Sequence, residues 1–145
     1  MKTKVCLPFI LYALLAVSSS MPAVNVGGLQ GTARGYVEIS SEELKNLMNS
    51  GQKMIVVDAR TKDYDDSIRI PGAISLPCSS TQIQIMKACP DKNLNTIIYC
   101  TNMQSPQSRF LAEKMVKMGY KDVMVCTDGI KGWMQKSYPV EHKNN

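Results

Sequence analysis

The sequence contains a single histidine, His142. Histidine supplies the ligands of many zinc sites and the base of Ser-His-Asp triads and Cys-His dyads, so its scarcity argues against all three kinds of site. We therefore expect no metal and no other cofactor. The chemistry of this chain must come from cysteine, carboxylate, arginine, lysine or backbone groups.

The chain also has no run of basic residues. Its 17 lysines and arginines against 12 acidic residues give a net charge of +5, and two of the lysines lie in an N-terminal leader. This mild excess gives no support for nucleic-acid binding. With 145 residues, 44% hydrophobic and 20% charged, the chain has the composition of one globular domain with a core of its own. From this length we expect one domain without a large cofactor domain of its own.

Residues 1–20 have the pattern of a signal peptide. Lys2 and Lys4 precede an apolar stretch over 5–17, and the three serines at 18–20 favour cleavage before Met21. The apolar stretch is short for a transmembrane helix, so we expect no stable membrane association after cleavage. We predict a secreted or periplasmic protein, whose thiols would meet oxidising conditions. An uncleaved N-terminal anchor is the alternative.

The rest of the chain divides into a flexible linker at 21–35, one domain at 36–140 and a polar tail at 141–145. The linker is rich in glycine and has no apolar period. In the domain, short apolar segments alternate with amphipathic ones, which predicts an α/β fold with a parallel sheet covered on both faces. The predicted strands are 36–39, 54–57, 73–76, 96–99 and 123–125, and the predicted helices are 41–50, 79–87, 106–118 and 130–136.

Four chemically active side chains follow predicted strands directly. Parallel sheets bind ligands at the carboxyl ends of their strands. Asp58, Cys78, Cys100 and Cys126 all lie at such ends. Cys89 falls between a helix and a loop, where a structural role is expected. The sequence therefore predicts a cysteine-containing site at one edge of the sheet.

Cys100 is the strongest candidate for a reactive residue. Thr101, Asn102, Met103, Gln104 and Ser105 follow it, and Ser105 and Pro106 suit the cap and first position of the next helix. A sulfur between a strand end and a helix N-terminus faces unpaired backbone N–H groups, which stabilise an anion. We expect the amides of 101–105 to do this for Cys100. The alternative is a buried cysteine that packs as a small hydrophobic side chain.

A series of short motifs, in order and at similar spacing, resembles the rhodanese (sulfurtransferase) domain over about residues 36–136. Each motif alone is weak, whereas the ordered set is specific. The matching segments are Ile39-Ser40-Ser41-Glu42-Glu43-Leu44, Val56-Val57-Asp58-Ala59-Arg60, Asp63-Tyr64, Ile70-Pro71-Gly72-Ala73-Ile74, Tyr99-Cys100, Ser108, Ala112, Met118-Gly119-Tyr120 and Asp128-Gly129-Ile130-Lys131-Gly132-Trp133.

This resemblance implies a small rhodanese-like domain with a five-stranded parallel sheet and helices on both faces. It implies that Cys100 carries sulfur as a persulfide between a small sulfur donor and a thiol acceptor. Asp58 and Arg60 match a family pair that usually forms a supporting ion pair. The predicted protein is thus an exported, monomeric, single-domain sulfurtransferase.

The loop after Cys100 departs from the family pattern Cys-x-x-Gly-x-Arg-Ser. Met103 stands at the glycine position and Ser105 at the arginine position, and the segment up to Gly119 is about two residues longer. Arg109 is the nearest arginine that could attract an anionic donor. We therefore expect weak use of thiosulfate. In the segment before Pro71, Arg69 stands where the same family usually has a histidine. We expect a structural role for Arg69.

Two other functions stay open on the sequence. The altered loop is compatible with a catalytically weakened redox or sulfur-binding module. An oxyanion reductase or phosphatase would use an enlarged loop, but the arginine such relatives place six positions after the nucleophile is here Pro106.

A redox partner for Cys100 is a further hypothesis. Cys126 follows the strand expected beside that of Cys100, and Cys78 follows another, so either thiol could form a disulfide that silences Cys100. Cys126 could equally pack as a small apolar residue.

Overall fold

The computed structural model describes residues 33–143, so the expected signal peptide and most of the expected linker lie outside the described residues. The strands are β1 (Val37–Ile39), β2 (Met54–Asp58), β3 (Ile68–Arg69), β4 (Ile74–Ser75), β5 (Asn95–Tyr99), β6 (Val123–Cys126) and β7 (Glu141–His142). The helices are α1 (Ser41–Asn49), α2 (Gln82–Ala88), α3 (Gln107–Lys117) and α4 (Gly129–Gln135), with a 3₁₀ turn at Lys62–Tyr64. None of the helices in this range is long and apolar enough to cross a membrane.

Five strands form one parallel sheet in the order β1-β6-β5-β2-β4. The central strand β5 is almost wholly buried, as its run Thr96-Ile97-Ile98-Tyr99 predicts for a strand covered on both faces. β2 is similarly apolar at Val56 and Val57. The α/β fold with a five-stranded parallel sheet is therefore confirmed.

The helices cover both faces of this sheet. On one face, α2 and α3 bury side chains such as Ile85, Leu111 and Met115 against the strands. On the other face, α1 and α4 bury Leu44 and Trp133. Burial of side chains of this size contributes roughly 1.5–3 kcal/mol each. The two cores hold the carboxyl edge of the sheet in place between the helices.

Two helices begin at the residues that favour a capping box. Ser40 accepts from Glu43 N while the Glu43 carboxylate accepts from Ser40 N at 2.7 Å, which fixes the start of α1 as the sequence predicts. Thr81 and Gln84 form the same arrangement at α2. This box starts α2 at Gln82, three residues after the predicted start.

The C-terminal residues differ from the expected polar tail. Glu141 and His142 pair antiparallel with Arg69 and Ile68 in a second, two-stranded sheet. Lys143 continues the attachment, since its ammonium donates to Ala73 O at 3.0 Å. The polar composition of the segment concealed this pairing, because the partner residues lie more than 70 positions away and only the fold brings them close.

Candidate active site

Residues at the ends of three neighbouring strands meet at the carboxyl edge of the sheet. The register aligns Asp58 with Tyr99 and Tyr99 with Cys126, and Cys100 is the next residue after β5. This is the arrangement expected from the positions of these residues after apolar segments. Cys100 is buried, with 1% of its surface exposed.

The sulfur of Cys100 contacts oxygen atoms of its own loop and of α3. Its Sγ lies 3.2 Å from Ser105 O, 3.5 Å from Asn102 O and 3.2 Å from Ser108 Oγ. The two carbonyl oxygens accept from the thiol. In this conformation the peptide units at 102 and 105 turn their oxygens toward the thiol, so the expected stabilisation of an anionic sulfur by the amides of 101–105 stays a prediction.

The amides expected at Cys100 bind the side chain of Asn102 instead. Asn102 Oδ1 accepts from Gln104 N and Ser105 N, each at 3.1 Å, and from Ser105 Oγ at 3.0 Å. Ser105 consequently does not cap α3, which begins at Gln107 after Pro106 without a side-chain cap. The asparagine turn thus engages the hydroxyl of Ser105, which would otherwise be able to accept from an amide in the first turn of α3.

The first residues of helix α4 bind the backbone of the Cys100 loop. Ile130 N donates to Cys100 O at 2.9 Å, and Lys131 N donates to Thr101 O at 3.0 Å. Gly129, with a φ of +65°, lets the two backbones touch: a Cβ there would lie 2.6 Å from Cys100 O and 2.7 Å from Asn102 N. Thr101 Oγ1 is buried and has no hydrogen-bond partner within residues 33–143.

Arg109 points to the surface, where it ties the loop to β1. Its Nε lies 2.8 Å from Glu38 Oε1, and its guanidinium donates to Met103 O at 3.2 Å. The hydrogen bond with Glu38 raises the pKa of Arg109. The cation that was expected to attract a donor is thus already engaged with a carboxylate.

Asp58 and Arg60 form the buried ion pair that the resemblance implies. Arg60 donates to Asp58 Oδ2 at 2.8 Å, and both side chains are 1% exposed. Asp66 Oδ1 and Ile68 O accept from the same guanidinium at 2.8 and 2.7 Å. Burial by itself lowers the pKa of Arg60, but the hydrogen bond and charge of Asp58 more than offset it and raise that pKa overall.

The sequence reasoning missed several members of this edge. Tyr99 donates its hydroxyl to Asp58 Oδ2 at 3.1 Å, and burial, followed by the charge of Asp58, raises the pKa of Tyr99. Arg69, expected to be structural, pairs with Asp65 and lies 3.6 Å from Asp58. Ser108 was part of the resemblance, but only the fold shows that its hydroxyl meets Cys100. These longer-range partners have no signature in local sequence.

The other cysteines of residues 33–143 lie in surroundings different from those of Cys100. Cys126 Sγ lies 3.9 Å from Ser41 Oγ among the residues packed by α1 and α4, and burial raises its pKa to about 11. Burial likewise raises the pKa of Cys89 to about 11. Cys78 is half-buried, and all four cysteines within residues 33–143 are free thiols.

The structure does not bring the sulfur of Cys126 to that of Cys100. Side chains alternate between the faces of a sheet, and Cys126 packs on the α1–α4 face whereas Cys100 contacts Ser108 of α3. A disulfide between Cys100 and Cys126 therefore requires a rearrangement of the strand ends. Because burial raises the pKa of Cys126, its thiol is protonated at neutral pH.

Substituting Gly129 with alanine is expected to displace the Cys100 loop. The new Cβ would overlap Cys100 O and Asn102 N, so the free energy of unfolding should fall by about 1–3 kcal/mol. Gly51→Ala is the matched control, because its φ of +72° is similar but no atom lies within 4 Å of the added Cβ. Urea unfolding compares the two variants; equal losses of stability in both would contradict the clash.

Substituting Arg60 with methionine should cost about 3–5 kcal/mol of folding free energy, because Asp58 would remain buried without its partner. Arg109→Met, which removes a surface ion pair, should cost less than about 1 kcal/mol. Urea midpoints of the two variants, measured side by side, test this difference. If the stability of Arg60→Met is lowered no more than that of Arg109→Met, the buried ion pair does not stabilise this edge of the sheet.

The sequence of residues 40–136 matches the rhodanese-like domain family. A putative sulfur carrier protein of Bacillus subtilis is 27% identical over 105 residues, which cover 72% of this chain and 55% of that protein. A sulfurtransferase of Allochromatium vinosum is 26% identical over 103 residues, covering 71% of this chain and 92% of the relative. This chain thus spans about half of the first relative and nearly all of the second.

Solved structures show the same fold. A thiosulfate sulfurtransferase from Pseudomonas aeruginosa superposes with a TM-score of 0.62 at 23% identity, over 77% of this chain and 21% of the other. A rhodanese from E. coli with anions superposes with a TM-score of 0.52 at 27% identity, over 62% of this chain and 99% of the other. With a match to the rhodanese-like domain over residues 40–136 and the same fold in these structures, the chain belongs to the rhodanese-like family of sulfurtransferases and sulfur carriers.

Proposed function

We propose that this protein is an exported sulfurtransferase that carries sulfane sulfur on Cys100. The observation that carries the proposal is the position of the Cys100 thiol, which directly follows the central strand β5 and contacts Ser108 Oγ on the first turn of α3 at 3.2 Å. Cys89 and Cys126 are buried thiols whose pKa values are raised to about 11, which makes them poor nucleophiles.

The reaction proceeds in two displacements at sulfur. The Cys100 thiolate attacks the outer sulfur of the donor, the donor's S–S bond breaks, and the remainder leaves with the bonding electrons, as sulfite when the donor is thiosulfate. The thiolate of an acceptor then attacks the outer sulfur of the Cys100 persulfide. The acceptor leaves as a persulfide, and the Cys100 thiolate is restored.

The loop has to change conformation during this cycle. The oxygens of Asn102 and Ser105 suit a thiol, whereas the additional sulfur of an anionic persulfide needs hydrogen-bond donors. Ser108 Oγ can rotate its hydrogen toward the sulfur without any backbone movement. The amide of Gln104 becomes a donor once Asn102 Oδ1 releases it, whereas that of Ser105 must also leave Asn102 O, to which it donates at 3.1 Å.

The same geometry supports a second candidate, a weakened sulfur-binding or redox module. Asn102 Oδ1 accepts from the loop groups to which a small oxyanion would bind, namely the amides of Gln104 and Ser105 and the hydroxyl of Ser105. An oxyanion must therefore displace the Asn102 side chain. Such competition lowers the affinity for a donor without preventing a persulfide on Cys100. The amount of persulfide formed and its turnover distinguish this module from an efficient transferase.

An oxyanion reductase or phosphatase is less well supported. Those activities need an arginine that clamps the bound oxyanion. Pro106 occupies the position six residues after Cys100, and Arg109 is engaged with Glu38 and Met103.

Export forms a separate part of the proposal and rests on the leader sequence at 1–20. We propose a secreted or periplasmic monomer that meets a small sulfur donor and a thiol acceptor. The intact mass and sedimentation of the protein recovered from its native compartment test cleavage before Met21 and the monomeric state.

Substituting Cys100 with serine should abolish the addition of one sulfur atom after incubation with thiosulfate, because a hydroxyl is not ionised at neutral pH. Intact mass spectrometry measures the added sulfur directly. Cys78→Ser is the matched control at another strand end, and it should retain the addition. Persulfide on the Cys100→Ser variant, or its loss in the control alone, would assign the sulfur to a different cysteine.

The wild-type protein should use thiosulfate weakly, and Ser105→Arg should strengthen its binding. A charge-assisted hydrogen bond contributes about 1.5–3 kcal/mol, so the KM for thiosulfate should fall roughly ten- to a hundredfold. Ser105→Gln, which adds length without charge, should leave KM near the wild-type value. Steady-state rates give all three constants; wild-type saturation at micromolar thiosulfate would contradict the expectation.

A further inference from the structure

A polar cavity of about 460 Å³ lies between the Cys100 loop and α4. One wall consists of Asn102, Met103 and Gln104, and the other includes Asp128, Lys131, Gln135 and Lys136. The amide side chains can donate to and accept from a polar ligand. The carboxylate of Asp128 is paired with Lys136, so the remaining lysine gives the lining a net positive charge that favours an anion. The cavity is thus suited to a small organic anion with polar groups.

The cavity lies beside the reactive sulfur. Asn102 belongs to its wall, and the carbonyl oxygen of the same residue lies 3.5 Å from Cys100 Sγ. The backbone of Lys131 is hydrogen-bonded to Thr101 O at 3.0 Å, one residue from Cys100. A lysine side chain extends about 6 Å, so the ammonium of Lys131 reaches the space in front of the loop.

The two lysines of the cavity differ in how far they are engaged. Lys136 Nζ lies 3.7 Å from Asp128 Oδ2, and Asp128 also accepts from Ser41 N at 2.8 Å. Among residues 33–143, no carboxylate or carbonyl group pairs with the ammonium of Lys131. Lys131 is therefore the cation in this cavity that is available to a ligand.

We propose that this cavity binds the carboxylate of a low-molecular-weight thiol, the sulfur acceptor, through Lys131. The acceptor role rests on the sulfur transfer proposed above. With its carboxylate on Lys131, the acceptor places its thiol toward the loop that holds Cys100. Its thiolate then attacks the outer sulfur of the Cys100 persulfide, the S–S bond breaks toward Cys100, and the acceptor leaves as a persulfide.

Two acceptors that differ in one group test this proposal. Mercaptoacetate carries a carboxylate where 2-mercaptoethanol carries a hydroxymethyl group. Reversing the charge with Lys131→Glu should raise the KM for mercaptoacetate about three- to tenfold and leave that for 2-mercaptoethanol unchanged. Lys131→Arg should retain the preference for mercaptoacetate. The amount of persulfide formed from a saturating donor should be the same in all variants.

Lys117→Glu is the matched control. Lys117 is an exposed lysine at the far end of α3, about 15 Å of helix from the Cys100 loop, so its reversal changes net charge equally without entering the cavity. It should leave both acceptor constants as in the wild type. An equal effect of the two reversals on mercaptoacetate, or an equal effect of Lys131→Glu on both acceptors, would overturn the proposal.

A binding measurement makes the result independent of turnover. The thioether (methylthio)acetate, CH3–S–CH2–COO⁻, retains the carboxylate of mercaptoacetate but has no thiol that could accept sulfur. In nuclear magnetic resonance titrations it should shift the amide signals of 102–104 and 131–136 in the wild type, and these shifts should disappear in Lys131→Glu. Absence of the shifts in the wild type would overturn the binding site even if Cys100 forms a persulfide. Shifts without a persulfide would leave the site standing and refute sulfur transfer.

Discussion

The contact between α4 and the backbone of the Cys100 loop is the constraint on which the site depends. Two amides of α4 bind the carbonyl oxygens of Cys100 and Thr101, and Gly129 allows the backbones to approach to this distance. Because these carbonyls are fixed from below, the loop can rearrange only at 102–105. The conformational change that the proposed sulfur transfer requires is therefore expected at residues 102–105.

A buried ionic network stabilises the neighbouring part of the same edge. Asp58 lies between Arg60 and Tyr99, and the partners of its carboxylate come from β5, from the connection that follows β2, and from β3, whose Arg69 lies 3.6 Å away. Such a network is costly to break from one side, since the remaining charge would stay buried. The network keeps the end of β2 aligned with that of β5, where Asp58 lies opposite Tyr99. Because Cys100 is the residue after Tyr99, this alignment also positions Cys100.

The resting loop holds the thiol and the donors for an anion in separate places. Carbonyl oxygens surround the sulfur, and the amides of Gln104 and Ser105 bind Asn102 Oδ1. In this arrangement the side chain of Asn102 satisfies groups that a substrate would otherwise satisfy. In the proposed reaction, binding of a donor and formation of a persulfide require the release of this asparagine, and the proposed acceptor binds in the cavity beside it.

Local sequence determined the five strands of the parallel sheet, most helices and the place of Cys100, because apolar runs, capping residues and glycines act over a few positions. It also placed Asp58 and Arg60 together, two residues apart on one strand end. Tertiary structure alone decided which atoms face the sulfur, that Arg109 pairs with Glu38, that Cys126 lies on the other face, and that the chain end pairs with β3. These outcomes depend on peptide orientation and on contacts between distant segments, which no local pattern encodes.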